Sequence, residues 1–386
     1  MLRQILAVSV LNFKSLPSRF WPSLVIVVGM AAVIGVLDSM LSFTAGYIRS
    51  ETAAGDPGRA IVMASATDNE TISGISRDSI GTIMDAPGIR KDPDGSVVAD
   101  AEILVTMPAM RKIGLSSTLL MRGFGPKGQE LRPEMKLISG RMFRQGAREL
   151  IVGVAAQDQF AGLNVGDKVI MPDGAWPIVG TFSTGDVLEG QLIADNDTLM
   201  GASRHPTYNE VIARLDSSTD SLARLKNSLT TNPALAVSVE RHSDYYRHFS
   251  QAYVAFFDDA TYTVGAIMAI GALFGALNTM YAAVGARARE IATLRAIGFG
   301  PLSVAISVVS EAMLLALAGA LIGSATAFAL FNGVQKAFFN NIFNLAVTPN
   351  LIGFGIVWAL SVALLGGLFP SVRAARLAIV DALRAI

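Results

Sequence analysis

Long stretches without charge are the feature that most limits how this chain can fold. Residues 260–286 contain no Asp, Glu, Lys or Arg, and residues 302–332 contain only Glu311. Residues 20–37 and 351–372 are uncharged as well. A helix rises about 1.5 Å per residue, so about 20 such residues cross a hydrocarbon core of about 30 Å. The sequence therefore predicts four membrane-spanning helices.

The overall composition favours a membrane protein and excludes several other classes. Hydrophobic residues make up 52% of the chain and charged residues 16%, against about 25% charged in ordinary soluble proteins. The formal net charge is zero, so nothing in the balance favours nucleic acid as a partner. Cysteine is absent, which excludes disulfides, thiol catalysis and zinc–thiolate sites.

Lysine and arginine in the short flanking segments predict the orientation of the spans. Three basic residues precede the first span, three lie within residues 287–298 and three follow residue 372. Residues 333–350 contain only Lys336. By the positive-inside rule, both termini and residues 287–298 are expected in the cytoplasm of a multi-pass inner (cytoplasmic) membrane protein.

The segment between the first two spans has a different composition. Short apolar runs such as "RAIVMA" and "ELIVG" are separated by Gly, Pro, Asp and Ser, a pattern typical of strands and turns. Residues 221–233 predict a helix with Leu222, Leu225 and Leu229 on one face. The predicted fold is a membrane protein with four transmembrane α-helices and a large α+β extracytoplasmic domain inserted between the first and second helices.

The predicted boundaries leave two alternatives open at the N-terminus. Residues 1–19 are expected to form an interfacial amphipathic helix, with a disordered tail as the alternative. The first span could instead be a cleaved signal peptide, although its uncharged core exceeds the usual length. The remaining predicted segments are 20–48 (transmembrane helix 1), 49–257 (extracytoplasmic domain), 258–286 (transmembrane helix 2), 287–299 (cytoplasmic helix), 300–332 (transmembrane helix 3), 333–350 (outer loop), 351–372 (transmembrane helix 4) and 373–386 (cytoplasmic tail).

Four motifs outside the spans suggest chemistry, but each has a simpler interpretation. "GFGPKG" (123–128) matches GxGxxG, yet it contains a proline and has no βαβ context, so we interpret it as a turn. His242 and His248 flank Asp244, but Tyr245 and its neighbours suit an aromatic belt at the membrane interface better than a metal site. "DPDG" and "DND" resemble calcium loops without the required glutamate and are interpreted as turns.

Two features inside the spans predict helix contacts. Gly271 and Gly275 form a GxxxG motif, and so do Gly319 and Gly323, which would let helices approach closely within one chain or between two copies. Glu311 lies well inside the third span, where an ionisable group is costly and must face other helices or water. A conformational or proton-linked role and a packing role for Glu311 both stay open.

The most distinctive motif is "RAREIATLRAIG" (287–298), which places charges of both signs between two apolar spans. Together with its flanks it resembles the FtsX-like permeases of the MacB/LolC type, the membrane subunits of type VII ABC transporters. The matching positions are Asn278, Met280, Val284, Arg287, Arg289, Glu290, Ile291, Ala296, Gly298 and Glu311, and near the C-terminus Pro370, Ala374, Ala375, Val380, Ala382 and Leu383. Ala286, Ala292 and Ile379 depart from the family pattern.

The resemblance implies a permease subunit without catalytic or metal-binding residues. Because the chain has no GxxxxGK[ST] motif, ATP and Mg would be bound by a separate ABC ATPase subunit. Residues 287–299 would form the coupling helix to that subunit. The implied ATPase-coupling residues are Arg287, Arg289, Glu290, Thr293, Leu294 and Arg295.

The resemblance further implies that two copies of the permease act together. ATP hydrolysis would move the extracytoplasmic domains and so drive export or extraction of a substrate, a mechanism called mechanotransmission. A membrane-fusion adaptor protein is an open possibility. The alternative function is an FtsX-like regulator that activates a cell-wall hydrolase. A membrane-anchored enzyme or receptor is a third class, and it would not require the charged motif.

Overall fold

The computed structural model describes residues 20–338 and 341–376, which divide into two compact units. The helical unit contains the described residues up to Ala45, Ala255–Val334, and those from Leu345 onward. The sheet unit contains Gly46–Val254 and Gln335–Asn344. The predicted interfacial helix 1–19 and the last ten residues of the predicted tail lie outside the described residues.

The secondary-structure elements are numbered here in chain order. The α-helices are α1 (Phe20–Ala54), α2 (Arg77–Met84), α3 (Val154–Gln159), α4 (Asn196–Ser203), α5 (Ser221–Thr230), α6 (His242–Ala286), α7 (Ala288–Ala296), α8 (Pro301–Phe331) and α9 (Pro349–Ala375). The strands are β1 (Arg59–Ala64), β2 (Ala99–Met110), β3 (Ser116–Phe124), β4 (Lys136–Gly140), β5 (Leu150–Gly153), β6 (Lys168–Met171), β7 (Gly174–Ser183), β8 (Gln191–Asp195), β9 (Glu210–Arg214), β10 (Val237–Arg241), β11 (Gln335–Phe338) and β12 (Asn341–Asn344).

Four of these helices are long and apolar enough to cross a membrane, namely α1, α6, α8 and α9. The residues between α1 and α6 form an α+β domain. The predicted fold class is therefore confirmed.

Two of the helices extend beyond the predicted spans into polar sequence. Helix α6 begins at His242 instead of residue 258, and α1 continues to Ala54 instead of residue 48. Hydropathy detects a stretch that suits lipid, but a helix can continue through polar residues when other parts of the protein cover it. Residues 333–350, predicted as a loop, contain the strands β11 and β12.

Within the helical unit, α1 and α8 pack closely because two glycines lie at their contact. A Cβ atom on Gly319 would lie 2.6 Å from the carbonyl oxygen of Val27. A Cβ on Gly323 would collide with the carbonyl oxygen of Ala31. The surrounding core consists of aliphatic side chains from α1, α8 and α9, including Met30, Val33, Ile34, Leu37, Leu41, Ala316, Ala320, Ala359, Val362 and Ala363.

The sheet unit is built on a mixed sheet with the strand order β10-β1-β9-β2-β3-β8-β5-β7-β4, and β6 pairs with β7. The pairs β3/β8 and β5/β7 are parallel, and the others are antiparallel. Side chains alternate between the two faces of a strand. In β1, Ala60 and Val62 enter one core while Ile61 and Met63 enter a second core, so both faces of the sheet are covered.

Helices cover one face of the sheet, and the start of α6 covers part of the other. Ile83 of α2 and Leu225 and Leu229 of α5 belong to the first core, which confirms the predicted helix near residues 221–233. Tyr245 and Tyr246 belong to the second core. The strands β11 and β12 also belong to this unit, where Ile342 joins the first core.

The interpretation of residues 241–249 as an aromatic belt at the membrane interface is wrong. Tyr245 is 4% exposed and Tyr246 3% exposed, and both pack in the sheet unit. The backbone N–H of Glu70 donates to the Tyr245 hydroxyl at 3.0 Å. His242 is buried too, and burial holds its pKa well below the ordinary value. A local pattern of aromatic and polar residues cannot separate an interfacial helix from one that caps a protein core.

Candidate functional site

The predicted coupling segment forms the short helix α7, separated from its neighbours by two backbone breaks. Arg287 has φ −103° and ψ 6° and lies between α6 and α7. At the other end Gly298 has φ +105°, a conformation that glycine adopts without steric cost. Gly300 and Pro301 then begin α8, since proline suits the first turn of a helix.

Arg287 points into the protein, where it contacts carboxylates from two helices. Its Nη1 donates to Oε2 of Glu311 on α8 at 3.0 Å. Its Nε donates to Oε2 of Glu290 on α7 at 3.2 Å. The side chains of Arg287 and Glu311 are 9% and 7% exposed, whereas that of Glu290 is 62% exposed. Arg287 therefore ties the start of α7 to α8.

One side of α7 packs against an apolar cluster. Ile291 is 3% exposed and Ala292 is fully buried. Ala292 is one of the positions that depart from the family pattern, and its methyl group is accommodated here. The cluster around Ile291 also contains Ile26, Met280, Val284, Val304, Val308, Ala312, Leu315 and Ala374. The helix is thus held by packing on one side and by the Arg287–Glu311 ion pair at its start.

The opposite side of α7 is exposed and carries charges of both signs. Arg289, Glu290 and Thr293 are exposed, and Ile297, which follows the helix, is 72% exposed. The spacing 289, 293, 297 places three of them along one stripe. We call these four residues the exposed face of α7. Leu294 and Arg295, also predicted as coupling residues, are half-buried.

A charged face that includes a solvent-exposed isoleucine is suited to contact with another protein. Large apolar side chains that are exposed beside polar residues are common at such contacts. The hydroxyl of Thr293 donates to the Arg289 carbonyl oxygen within the helix at 2.9 Å, so a partner would meet mainly its methyl group. Ile297 was not among the predicted residues, although its spacing from Arg289 and Thr293 could have indicated it.

The two GxxxG motifs lie in different surroundings. Gly319 and Gly323 contact α1, as described above. For Gly271 and Gly275 on α6, no atom of the described residues lies within 4 Å of an added Cβ. Nearby Ile267, Ile270 and Phe274 are exposed.

A second buried carboxylate in the helical unit escaped the sequence interpretation. Asp38 on α1 is fully buried, and the Ser324 hydroxyl on α8 donates to its Oδ2 at 2.6 Å. A Cβ on Gly355 of α9 would lie 2.8 Å from its Oδ1. Asp38 thus lies where α1, α8 and α9 meet. It is the one charged residue of the first predicted span, and that signal could have identified it.

The sheet unit also contains a buried ionic cluster, which sequence patterns gave no means of finding. Arg122 is 1% exposed and contacts Glu70 at 3.0 Å, Glu102 at 3.1 Å, and Glu210. Arg132 donates to both carboxylate oxygens of Glu102. The members come from distant parts of the chain and pair with one another, as buried charges usually do. We interpret this cluster as structural.

Next to this cluster, Asp100 is buried against the glycine-rich turn. Burial and the nearby charge of Glu102 raise the pKa of Asp100 to about 8. The backbone N–H of Gly125 donates to its Oδ2 at 2.8 Å. The segment 123–128 ends β3 and enters a turn, as its sequence predicts.

The carboxylates of the other two loop motifs accept hydrogen bonds that stabilise the local backbone. In "DPDG", the Ser96 N–H donates to the Asp94 carboxylate at 2.9 Å within a turn. In "DND", the Asp195 side chain accepts from the Thr198 N–H at 3.0 Å and caps α4. Throughout residues 20–338 and 341–376, no group of three or more His, Asp or Glu residues is arranged to hold a metal ion.

Comparison with known proteins finds a family match in the helical part of the chain. The family model described as "FtsX-like permease C-terminal" matches residues 262–379, which include α7, Glu311 and the last two apolar helices. No curated protein matches the chain significantly.

Among solved structures, an extracellular domain of a transporter is similar to part of the chain. The crystal structure of the extracellular domain of the noncanonic ABC-type transporter YknZ from Gram-positive bacteria matches 47% of this chain and 99% of its own length. The two are 14% identical and the TM-score is 0.36. The family match therefore shows that residues 262–379, on a chain with four apolar helices, are similar to the C-terminal part of FtsX-like permeases.

Proposed function

We propose that this protein is an FtsX-like permease, the membrane subunit of a type VII ABC transporter, and that the exposed face of α7 docks on a separate ATPase subunit. The observation that carries the proposal is the two-sided construction of α7. Arg289, Glu290, Thr293 and Ile297 are exposed, while Arg287 and Ile291 anchor the helix from below. A turn that only joined α6 to α8 would not need the buried Arg287–Glu311 ion pair to hold it in place.

The same construction supports a way to pass movement from the ATPase into the permease. When two ATPase subunits bind ATP with Mg and close, they would displace α7. The Arg287–Glu311 pair would carry the displacement to α8, because breaking a buried ion pair costs about 3–5 kcal/mol. Arg287 directly follows α6, one helix of 45 residues that begins at His242, so α6 would move as well. The extracytoplasmic domains would then move, driving export or extraction.

This function requires a defined orientation and stoichiometry. Both termini and α7 would lie in the cytoplasm, and the sheet unit outside the inner membrane, as the basic flanks favour. Two permease copies would pair with two ATPase subunits. The exposed apolar residues around Gly271 and Gly275 are available for contact with lipid, with the second copy, or with both.

Purification of the tagged full chain from its native membrane in lipid nanodiscs tests the proposal. We expect an ABC ATPase to co-purify, and ATP hydrolysis by the complex to change when Arg289 is replaced by Glu. Recovery of a cell-wall hydrolase and no change in transport would indicate the regulatory function instead. Recovery of the intact chain with no ATPase would contradict the proposal.

A further inference from the structure

The sheet unit contains a cleft whose lining shares no residue with the exposed face of α7. Its volume is about 490 Å³, which is within the range of small-molecule sites. The floor is the face of the sheet at β1 and β10, where Met63 and Ser238 are paired across the strands. The loop after β1 and the first turns of α6 form the walls. Three separate elements thus shape one concave surface.

Aromatic rings form one wall of this cleft. Tyr245 and Phe249 are one helical turn apart on α6, with ring centroids 5.9 Å apart and planes inclined by 24°. The Glu70 N–H donates to the Tyr245 hydroxyl, which fixes the position of that ring. Tyr245 is almost fully buried and packs against Phe249, so the half-buried Phe249 ring supplies the aromatic surface that a ligand would meet.

The charges that line the cleft are predominantly negative. Asp68 and Glu240 contribute carboxylates, and no Lys or Arg is among the described residues that line the cleft. The lining also includes His248, whose Nδ1 lies 3.7 Å from Oε2 of Glu240. The Glu240 side chain is 42% exposed and that of His248 59% exposed, so both can be reached from solvent.

Carboxylates beside aromatic faces form the chemical pattern that binds organic cations. The carboxylates attract the positive charge, and the Phe249 ring contributes cation–π attraction while covering the apolar part of the ligand. A simple anion would meet repulsion from Asp68 and Glu240. We propose that this cleft binds an organic ammonium ion with an aromatic or alkyl body. The proposal does not depend on the ATPase, because the lining lies entirely within the sheet unit.

Binding of benzyltrimethylammonium to the full chain in nanodiscs tests this inference by saturation-transfer NMR. Empty nanodiscs correct for partition into lipid, and 3-phenylpropanoate is the anionic counterpart with a similar ring. We expect the cation to bind, the anion not to bind, and the signal to come from the aromatic protons. The double variant Asp68→Asn/Glu240→Gln should weaken binding roughly tenfold, since one exposed carboxylate contact contributes a factor of up to about five.

Two further variants separate the cleft from general surface charge. Asp197→Asn removes an exposed carboxylate elsewhere in the sheet unit, with a side chain that is 79% exposed, and should leave the affinity unchanged. Phe249→Leu should weaken binding several-fold because it removes an aromatic face. No binding of the cation above empty nanodiscs, equal binding of the anion, or an equal loss in Asp197→Asn would overturn the inference.

Discussion

Nη1 of Arg287 lies 3.0 Å from Oε2 of Glu311, across the junction between α7 and α8. Both side chains are almost fully buried, and the same guanidinium reaches Glu290 on α7. The charged motif therefore has two kinds of residue. Arg287 faces inward and holds the helix, whereas Arg289 and Thr293 face outward and are available to a partner.

Replacing Arg287 by Met should destabilise the helical unit. The change leaves Glu311 as a buried carboxylate without its arginine partner, a loss of about 3–5 kcal/mol in unfolding free energy for a typical buried pair. Replacing both residues by Met should recover much of the loss. Thermal unfolding of the full chain in nanodiscs measures the effect. Arg289→Met is the matched control and should change stability little, and equal losses from the two arginine variants would refute the inward role of Arg287.

Charge reversal on the exposed face of α7 should weaken ATPase association without unfolding the protein. The double variant Arg289→Glu/Ile297→Asp should lower the affinity by about 30-fold or more, because central interface residues typically contribute 2 kcal/mol or more. Its stability should stay within about 0.5 kcal/mol of the parent, as for most surface changes.

Affinity capture of the ATPase by the permease in nanodiscs measures the association. Arg77→Glu changes a 63% exposed arginine of the sheet unit and should leave the affinity unchanged. Retention of full ATPase affinity by the double variant would speak against docking at α7.

The two GxxxG motifs should respond differently to the same substitution. Gly319→Ala places a methyl group 2.6 Å from the Val27 carbonyl oxygen, so α1 and α8 must separate and stability should fall. Gly271→Ala meets no described atom within 4 Å and gains up to about 1 kcal/mol from helix propensity. Thermal unfolding of both variants in nanodiscs compares them directly. Similar melting temperatures would show that α8 does not depend on close approach to α1.

Asp100 should make the sheet unit less stable as the pH rises. Native Asp100 keeps its proton to about pH 8, whereas the unfolded chain loses it near the ordinary pKa of 3.8. The native state therefore binds more protons between these values, and its contribution to stability is lost as the pH rises toward 8. The Asp100→Asn variant keeps an acceptor for the Gly125 N–H and removes this titration. Its melting temperature should vary less than that of the parent between pH 5 and pH 9, and parallel curves would contradict the raised pKa.

Local sequence patterns were sufficient to predict the four apolar helices because length and the absence of charge are properties of single segments. The same patterns could not show that Tyr245 and Tyr246 are buried, since their partners in the second core of the sheet unit come from remote strands. The strands β11 and β12 were missed for the same reason: Ile342 of β12 packs in a core assembled from the rest of the sheet unit.

The candidate site was predictable as a segment but not in detail. A helical wheel places Arg289, Glu290 and Thr293 on one side, and the structure exposes these three residues. The helical wheel does not indicate a partner for Glu311, because Arg287 is 24 residues away in sequence. Asp38 was visible as a lone charge, but its contact with Ser324 joins residues 286 positions apart. Pairs formed across helices depend on tertiary packing.

Cysteine cross-linking at adjacent positions of α7 tests the docking of the ATPase most directly. The chain contains no cysteine, so each introduced thiol is unique. Thr293 is exposed, and its neighbour Ala292 is fully buried. In membranes that contain the ATPase, a short bifunctional reagent should join the Thr293→Cys variant to the ATPase. The yield of this product should fall after ATP is added, because the contact moves. The Ala292→Cys variant should give no product. Failure of Thr293→Cys to cross-link to any ATPase, or equal products from both positions, would contradict the account.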